Sequence, residues 1–120
     1  MNLKEDKFKL VTKIKSFILE SEKMLENIPR YDFYNRDRFR EDITEILHLV
    51  YLANSIDNTE DKKKYQQDIF SRLSMIDFYL ERAYIHKYIS EKQLYKYSYK
   101  LEEIIKMTKG WMNSNGWCYY

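Results

Sequence analysis

The sequence predicts an all-α protein with the architecture of an up-down-up-down antiparallel four-helix bundle. Its 120 residues include only 2 Gly and 1 Pro, so the backbone has few places at which to turn sharply. Apolar residues recur at steps of three and four through four long segments, which is the spacing of one face of an α-helix. The length suits one domain with one core, which we place at residues 1–116, followed by a short tail at residues 117–120.

The first segment predicts a helix from about residue 4 to Asn27. Pro29, the sole proline, lacks an amide donor and crowds the turn before it, so the helix should end at or before Ile28. Residues 30–35 then form the first connection. The stripe that we expect to face the core consists of Leu3, Leu10, Val11, Ile14, Phe17, Ile18, Leu25 and Ile28.

The second helix is expected to begin after Asn35, whose side-chain oxygen is a suitable cap for the free amides of its first turn. The polar stretch at residues 55–61 ends this helix, and Asn58 or Thr59 can cap the third. The core-facing residues expected in the second helix are Phe39, Ile43, Ile46, Leu47, Val50 and Ala53.

The third helix is predicted from about Glu60 to Tyr88, and the fourth from Ser90 to about residues 115–116. Ser90 and Gln93 have the spacing of a capping box, in which each side chain bonds the backbone amide of the other residue. The expected core residues are Tyr65, Ile69, Leu73, Ile76, Leu80 and Ala83 in the third helix and Leu94, Tyr97, Leu101, Ile104, Thr108 and Trp111 in the fourth.

Apolar residues in the second halves of the second and third helices exceed the single stripe that a bundle helix needs. We expect the surplus to face water in a monomer and therefore to form an oligomer interface. The alternative is that these are scattered exposed side chains of the kind that ordinary surfaces carry. The predicted interface residues are Leu49, Leu52, Phe78 and Tyr79, with Tyr51 and Ile85 beside them.

Charge and cysteine content bound the function classes. With 21 Lys+Arg against 19 Asp+Glu, the formal charge is +2, so any polyanion must be bound by a local patch. The single cysteine, Cys118, excludes an intramolecular disulfide framework. The start of the chain lacks a signal-peptide pattern, and no apolar run approaches the roughly 18 residues that would span a bilayer. We expect a cytoplasmic protein without a membrane partner.

Catalytic motifs are absent from the sequence, which contains no phosphate-binding glycine loop, no Cys-x-x-Cys and no recognisable nucleophile motif. Glu45 and His48 have the Glu-x-x-His spacing of di-iron bundles, but His86 is preceded at that spacing by Ala83. His48 fits a hydrogen-bonded histidine at a bundle or subunit boundary better than a metal ligand. We expect no enzyme activity, no cofactor and no metal; a metal or redox bundle enzyme is the rival hypothesis.

Two groups of basic residues are candidate binding surfaces for a partner or for RNA or DNA. In the fourth helix, lysines four residues apart alternate with tyrosines that can stack on bases. The alternative is that these charges simply solvate an exposed helix face. The first group, the lysine ridge, is Lys87, Lys92, Lys96 and Lys100 with Tyr95 and Tyr99; the second, near the first connection, is Arg30, Arg36 and Arg40.

A family resemblance covers residues 8–113. Its anchors are Ile28-Pro29-Arg30, Leu52-Ala53-Asn54, Ala83-Tyr84, the stretch from Ile89 to Gln93, and Gly110-Trp111-Met112. With these marks the chain resembles the Avd family, the accessory variability proteins of diversity-generating retroelements. A wider relative, the four-helix protein of intervening sequences in large ribosomal RNA, carries a Ser-Ile-Pro-x-Asn-x-Ala-Glu-Gly stretch that this chain lacks.

The resemblance implies a four-helix protomer assembled into a pentameric ring. It also implies a function: an accessory subunit that binds the retroelement reverse transcriptase and its template RNA, and so supports mutagenic reverse transcription. The alternative is an interaction protein of the ribosomal intervening-sequence type, whose partner is unknown. Family members often carry arginines at the positions of Asp77 and Glu81, whereas here Arg82 lies one residue away, about 100° around the helix.

Overall fold

The computed structural model describes residues 3–114, with side chains from Lys9 onward. Within these residues the chain is helical and contains no strand, which confirms the all-α prediction and is compatible with a four-helix bundle. A π-helical turn at Tyr34–Arg38 leads directly into the second helix. The four α-helices are α1 (Leu3–Glu26), α2 (Phe39–Asn54), α3 (Thr59–Ile85) and α4 (Glu91–Ser114).

Several predictions about the two chain ends fall outside the described residues. They concern the side chain of Leu3, the end of the fourth helix at residues 115–116, the domain boundary after residue 116, and the tail at 117–120 with Cys118. In the part that is described, no helix combines the length and the apolar character needed to cross a membrane.

The core lies where the apolar stripes of the four helices meet, and α1 and α3 each pack on both α2 and α4. At its centre the rings of Phe17 and Phe39 stack with centroids 6.3 Å apart, and Tyr97 meets Phe17 edge-on at 6.2 Å. The predicted stripes are buried with few exceptions, so periodicity alone located the core. The exceptions are half-buried: Ile18, Leu47, Tyr65 and Leu94.

The first connection differs from its prediction, because Asp32 and not Asn35 caps the helix that follows. Asp32 Oδ1 accepts from the backbone N–H of Asn35 at 3.2 Å, and its carbonyl accepts from the N–H of Arg36 at 3.1 Å. The Asn35 side chain is used elsewhere: its Nδ2 donates to the Tyr79 carbonyl at 2.6 Å. A tertiary contact therefore takes the oxygen-bearing side chain that the local pattern assigned to capping.

The other two connections follow local rules. Asn58 caps α3 as predicted, accepting from the N–H groups of Glu60 and Asp61 at 2.9 and 3.2 Å. The Ser90–Gln93 capping box is also confirmed, with both reciprocal bonds formed at 3.1 and 2.9 Å.

The third helix ends at Ile85, three residues before the predicted Tyr88. The N–H of Tyr88 donates to the Ala83 carbonyl and that of Lys87 to the Tyr84 carbonyl, both at 2.9 Å, which closes the helix as a Schellman motif. Lys87 takes the left-handed conformation, with φ 63°. The sequence did not reveal this end because lysine stands where glycine is usual.

Two of the residues predicted to face water in a monomer are buried within the protomer. Leu49 is 5% exposed and Tyr79 is 3% exposed, and the Tyr79 ring lies 6.4 Å from that of Phe39. That part of the prediction is wrong because α2 and α3 each pack against two neighbours, which covers a wider arc than one stripe. Leu52 is half-buried, whereas Phe78 remains 51% exposed.

Candidate partner-binding surfaces

The lysine ridge of α4 is only partly available to a partner. Lys92 and Lys96 are exposed one turn apart, and Lys87 is exposed just before the helix. Lys100 is half-buried and forms an ion pair with Glu20 of α1, with Nζ and Oε2 2.5 Å apart. The hydrogen bond from Lys100 holds the pKa of Glu20 below its usual value. Lys100 therefore joins α1 to α4 and presents little free charge.

The two tyrosines of the ridge are well exposed, at 64% for Tyr95 and 67% for Tyr99. The hydroxyl of Tyr95 donates to Glu91 Oε1 at 3.0 Å, so a carboxylate lies next to the hydroxyl end of this ring. Tyr99 borders a groove of about 300 Å³ between α1 and α4, where Lys13 and Glu103 pair at 3.1 Å. The surroundings of both rings are thus of mixed charge. The groove is lined by Lys13, Ser16, Phe17, Tyr99, Lys100 and Glu103.

The arginines near the first connection have no carboxylate partners among the described residues. Arg30 and Arg40 are exposed, and Arg36 is half-buried in the π-helical turn. Arg38 is exposed as well, with its guanidinium 5.4 Å from the centre of the Phe33 ring. None of these arginines is engaged by a carboxylate as Lys100 of the ridge is, so the group keeps its positive charge free for an anionic partner.

A buried polar cluster between the first connection and the end of α3 was not found from the sequence. Arg82 Nη1 donates to both carboxylate oxygens of Asp32, at 2.7 and 2.9 Å, and also to Asn35 Oδ1. The hydroxyl of Tyr88 donates to Asp32 Oδ2 at 2.6 Å. Asp32 and Asn35 are only 5% and 1% exposed, so these bonds replace the hydrogen bonds to water that both side chains lose on folding.

The only sequence signal for this cluster was an acidic residue three positions before Asn35, which is the spacing of a helix cap. Nothing local identified Arg82 as its partner, since the two residues are 50 positions apart. Arg82 therefore has a structural role, whereas Asp77 and Glu81 are exposed carboxylates.

The cluster shifts the ionisation of two groups. Burial alone would raise the pKa of Asp32, but the hydrogen bonds from Tyr88, Arg82 and the Asn35 amide outweigh it and hold that pKa below its usual value. The hydrogen bond to the Asp32 carboxylate, reinforced by burial, raises the pKa of Tyr88 from 10.0 to about 12. Asp32 thus stays charged and Tyr88 protonated across the neutral range.

We predict that deprotonation of Tyr88 lowers the stability of the fold at alkaline pH. Because its folded-state pKa lies above its ordinary value, protonated Tyr88 stabilises the fold below pH 10, and this contribution disappears as the pH rises from 10 to about 12. Urea unfolding from neutral pH to about pH 12 should show a steeper decline for the wild type than for Tyr88→Phe. Tyr99→Phe is the control, because this exposed tyrosine forms no hydrogen bond among the described residues; an equal decline in all three proteins would contradict the prediction.

Three aromatic rings stand out from the surface at the first connection. Tyr31 is 84%, Phe33 48% and Tyr34 58% exposed, and the Phe33 and Tyr34 rings meet edge-on with centroids 6.5 Å apart. The Arg82 guanidinium lies 5.6 Å from the Tyr34 ring. We call the corner surface the set Tyr31, Phe33, Tyr34, Arg30, Arg36, Arg38 and Arg40.

Comparison with family models, with curated proteins and with solved structures found no match for this chain. The surfaces described above and the sequence resemblance are therefore the basis for a functional proposal.

His48 and Glu45, which carry the Glu-x-x-His spacing, form a pair with Nδ1 and Oε1 2.9 Å apart. The side chain of His48 is 64% exposed, so the pair lies on the surface of α2 and not in the bundle core. Among the residues that the structure describes, no three His, Cys, Asp or Glu side chains are grouped as metal ligands. The pair is thus an ordinary surface contact between residues one turn apart.

Proposed function

We propose that this chain is a homo-oligomeric accessory subunit of a diversity-generating retroelement, which binds the element's reverse transcriptase and template RNA in the cytoplasm to support mutagenic reverse transcription. The proposal rests on the sequence resemblance together with one structural observation: the corner surface presents, beside exposed rings, arginines that have no ion-pair partner among the described residues. A surface of this kind suits a polyanion, because each cation that neutralises a phosphate releases a counterion. The protein has no catalytic role of its own in this proposal.

The helices are proposed to alternate in direction, up-down-up-down. In α1 the residue number rises from Lys13 to Glu20 while that of their ion-pair partners in α4 falls from Glu103 to Lys100. In the same way, Asn35 contacts Tyr79, whereas Asp42 pairs with Arg72 at 2.8 Å. These pairs support antiparallel packing of α1 on α4 and of α2 on α3.

The oligomer interface is proposed on the outer stripe of α3. Met75, Phe78 and Ile85 are 41%, 51% and 65% exposed, and their spacing of three and seven residues sets them on one line along the helix. This line lies opposite the core residues Ile76 and Leu80, and none of the described helices of the same protomer covers it. The pentameric number comes from the family resemblance alone.

Binding of the reverse transcriptase–RNA complex is expected to depend on the corner arginines more than on the lysine ridge. We propose a pull-down of the cognate reverse transcriptase, with and without template RNA, using wild type and Arg30→Glu/Arg40→Glu. The double reversal should lower retention of the RNA-bound enzyme at least about tenfold at moderate salt, because two free cations become anions. Lys92→Glu/Lys96→Glu tests the ridge, while Lys100 is retained because it pairs with Glu20.

The matched control is Lys106→Glu/Lys109→Glu, which makes the same charge change on exposed positions near the far end of α4. Retention unchanged in the arginine variant would remove the corner from the binding site. A wild-type protein that never retains the enzyme would reject the retroelement function. The latter result would favour the alternative, an interaction protein of the ribosomal intervening-sequence type.

A further inference from the structure

In the segment Tyr31–Tyr34 the polar side chain is buried and the aromatic side chains are exposed. The Asp32 side chain points inward to Arg82 and Tyr88, whereas the flanking rings of Tyr31 and Phe33 are 84% and 48% exposed. Tyr34 is 58% exposed, and the next residue, Asn35, is again buried and hydrogen-bonded. The rings are therefore held at the surface by a backbone anchored on both sides.

This anchoring fixes the positions of the rings before a ligand binds. Asp32 receives hydrogen bonds from Arg82, Tyr88 and the Asn35 amide, so the connection is tied to the end of α3 and to the loop before α4. A rigid platform loses little conformational entropy when a flat ligand group binds to it. Flexible aromatic side chains on a loose loop would lose more.

The charge of the corner surface specifies an anionic ligand. Arg30, Arg36, Arg38 and Arg40 have no ion-pair partner among the described residues, and the charge of Asp32 is already balanced by Arg82. The carboxylates of Asp37, in the same stretch, and of Glu41, at the start of α2, lie close to these arginines in the sequence and offset part of their positive charge. The surface thus combines positive charge with aromatic faces.

Phosphates and flat unpaired bases occur together in single-stranded nucleic acid. In a duplex the base faces stack on one another and cannot reach protein rings, whereas in a single strand each base has a free face. We infer that the corner surface is a platform for an unpaired stretch of RNA or DNA, with bases stacked on Tyr31, Phe33 and Tyr34 and phosphates on the arginines. This inference rests on the proposed function and names the class of nucleic acid that the site accepts.

The tyrosines of α4 are poorer candidates for the same role. Tyr95 donates its hydroxyl to the Glu91 carboxylate, and Tyr99 lies in the groove beside the Lys13–Glu103 pair. Nearby carboxylates repel the phosphates that would accompany a stacked base. Tyr95 and Tyr99, which are exposed like the rings of the corner surface, therefore serve as a matched control for the loss of exposed rings.

The test measures the fluorescence anisotropy of two labelled probes, an oligodeoxythymidine and a DNA hairpin duplex of equal charge, with the intact chain. The wild type should bind the single strand more tightly. Tyr31→Ala/Phe33→Ala/Tyr34→Ala should lose at least about fivefold in single-strand affinity per ring that stacks, but change little toward the hairpin. Tyr31→Phe/Tyr34→Phe, which keeps the rings, should bind as the wild type does, and Tyr95→Ala/Tyr99→Ala should lose less than about threefold.

Circular dichroism and light scattering should first show that each variant keeps the helicity and oligomer size of the wild type. Equal losses for both probes, no preference for the single strand, or a larger loss in the α4 variant would overturn the inference. So would a triple alanine variant that releases the reverse transcriptase in RNA-free pull-downs while keeping its oligonucleotide affinity, because the corner would then be a protein contact. A wild type that prefers the single strand but never retains the enzyme would leave the inference standing and reject the proposed function.

Discussion

Arg82→Met is expected to lower the free energy of unfolding by about 3 kcal/mol, more than loss of any other ion pair in the described structure. The substitution leaves the Asp32 carboxylate, whose side chain is 4% exposed, without its cation. Breaking a buried pair in this way typically costs about 3–5 kcal/mol, and we take the lower end because the Arg82 side chain is 25% exposed. Methionine keeps much of the apolar volume of arginine, so the loss reports on charge and hydrogen bonds.

Arg72→Met is the matched control, since Arg72 lies ten positions earlier in the same helix and contacts the carboxylates of Asp42 and Asp68. That pairing is closer to the surface and is expected to contribute at most about 1 kcal/mol. Urea unfolding followed by circular dichroism compares the two variants. Similar costs for both would show that the Asp32 cluster is no stronger than a surface contact.

A double-mutant cycle separates the pair from its surroundings. Asp32→Asn removes the carboxylate charge yet retains an oxygen that can cap the helix. If the two side chains act together, Asp32→Asn/Arg82→Met should cost clearly less than the sum of the two single variants. Strict additivity would mean that Arg82 contributes to stability independently of the Asp32 carboxylate charge.

Tyr79→Glu is expected to unfold the protomer, with a loss of at least about 4 kcal/mol, and not merely to dissociate an oligomer. The residue is 3% exposed and its ring packs beside Phe39, so the substitution would bury a carboxylate in place of an aromatic ring. Burial raises the pKa of the Tyr79 hydroxyl, and the carboxylates of Asp42 and Glu41 reinforce that shift, although the charge of Arg38 opposes it. The same carboxylates would repel a glutamate at this position.

Phe78→Glu is the informative counterpart because Phe78 is the adjacent residue and is 51% exposed. It should retain the helical circular-dichroism spectrum while lowering the mass measured by light scattering after size exclusion, since it places a charge in the proposed α3 interface. A wild type that is a monodisperse monomer would remove that interface. A folded, fully oligomeric Tyr79→Glu protein would contradict the burial argument.

The sequence predicted the helices and their caps well because these depend on residues close together in the chain. Pro29 indicates the end of α1, Asn58 caps α3, and the Ser90–Gln93 box opens α4, each through contacts within a few residues. The core stripes follow from the same local spacing, which is why Phe17, Ile46 and Trp111 are buried as expected. The end of α3 was misplaced because Lys87 adopts a conformation that its residue type does not announce.

The candidate sites were less predictable from the chain. Lysines spaced along α4 suggested a uniform ridge, but Lys100 is engaged by Glu20, which comes from a different helix. The exposure of Tyr31, Phe33 and Tyr34 likewise depends on which residues of the first connection are drawn inward. Helical spacing carries no information about pairings of this kind.

The sequence by itself determined the helical class, most of the core and two of the three helix caps. These features are specified by hydrogen bonds and apolar spacing over three or four residues. Only the tertiary structure decided that Asp32 meets Arg82 and Tyr88, which are 50 and 56 positions away. It also decided that Tyr79 is buried while Phe78, its neighbour, faces outward at 51% exposure. Such outcomes depend on which distant surfaces come together when the helices pack, because burial and ion pairing are properties of the assembled fold.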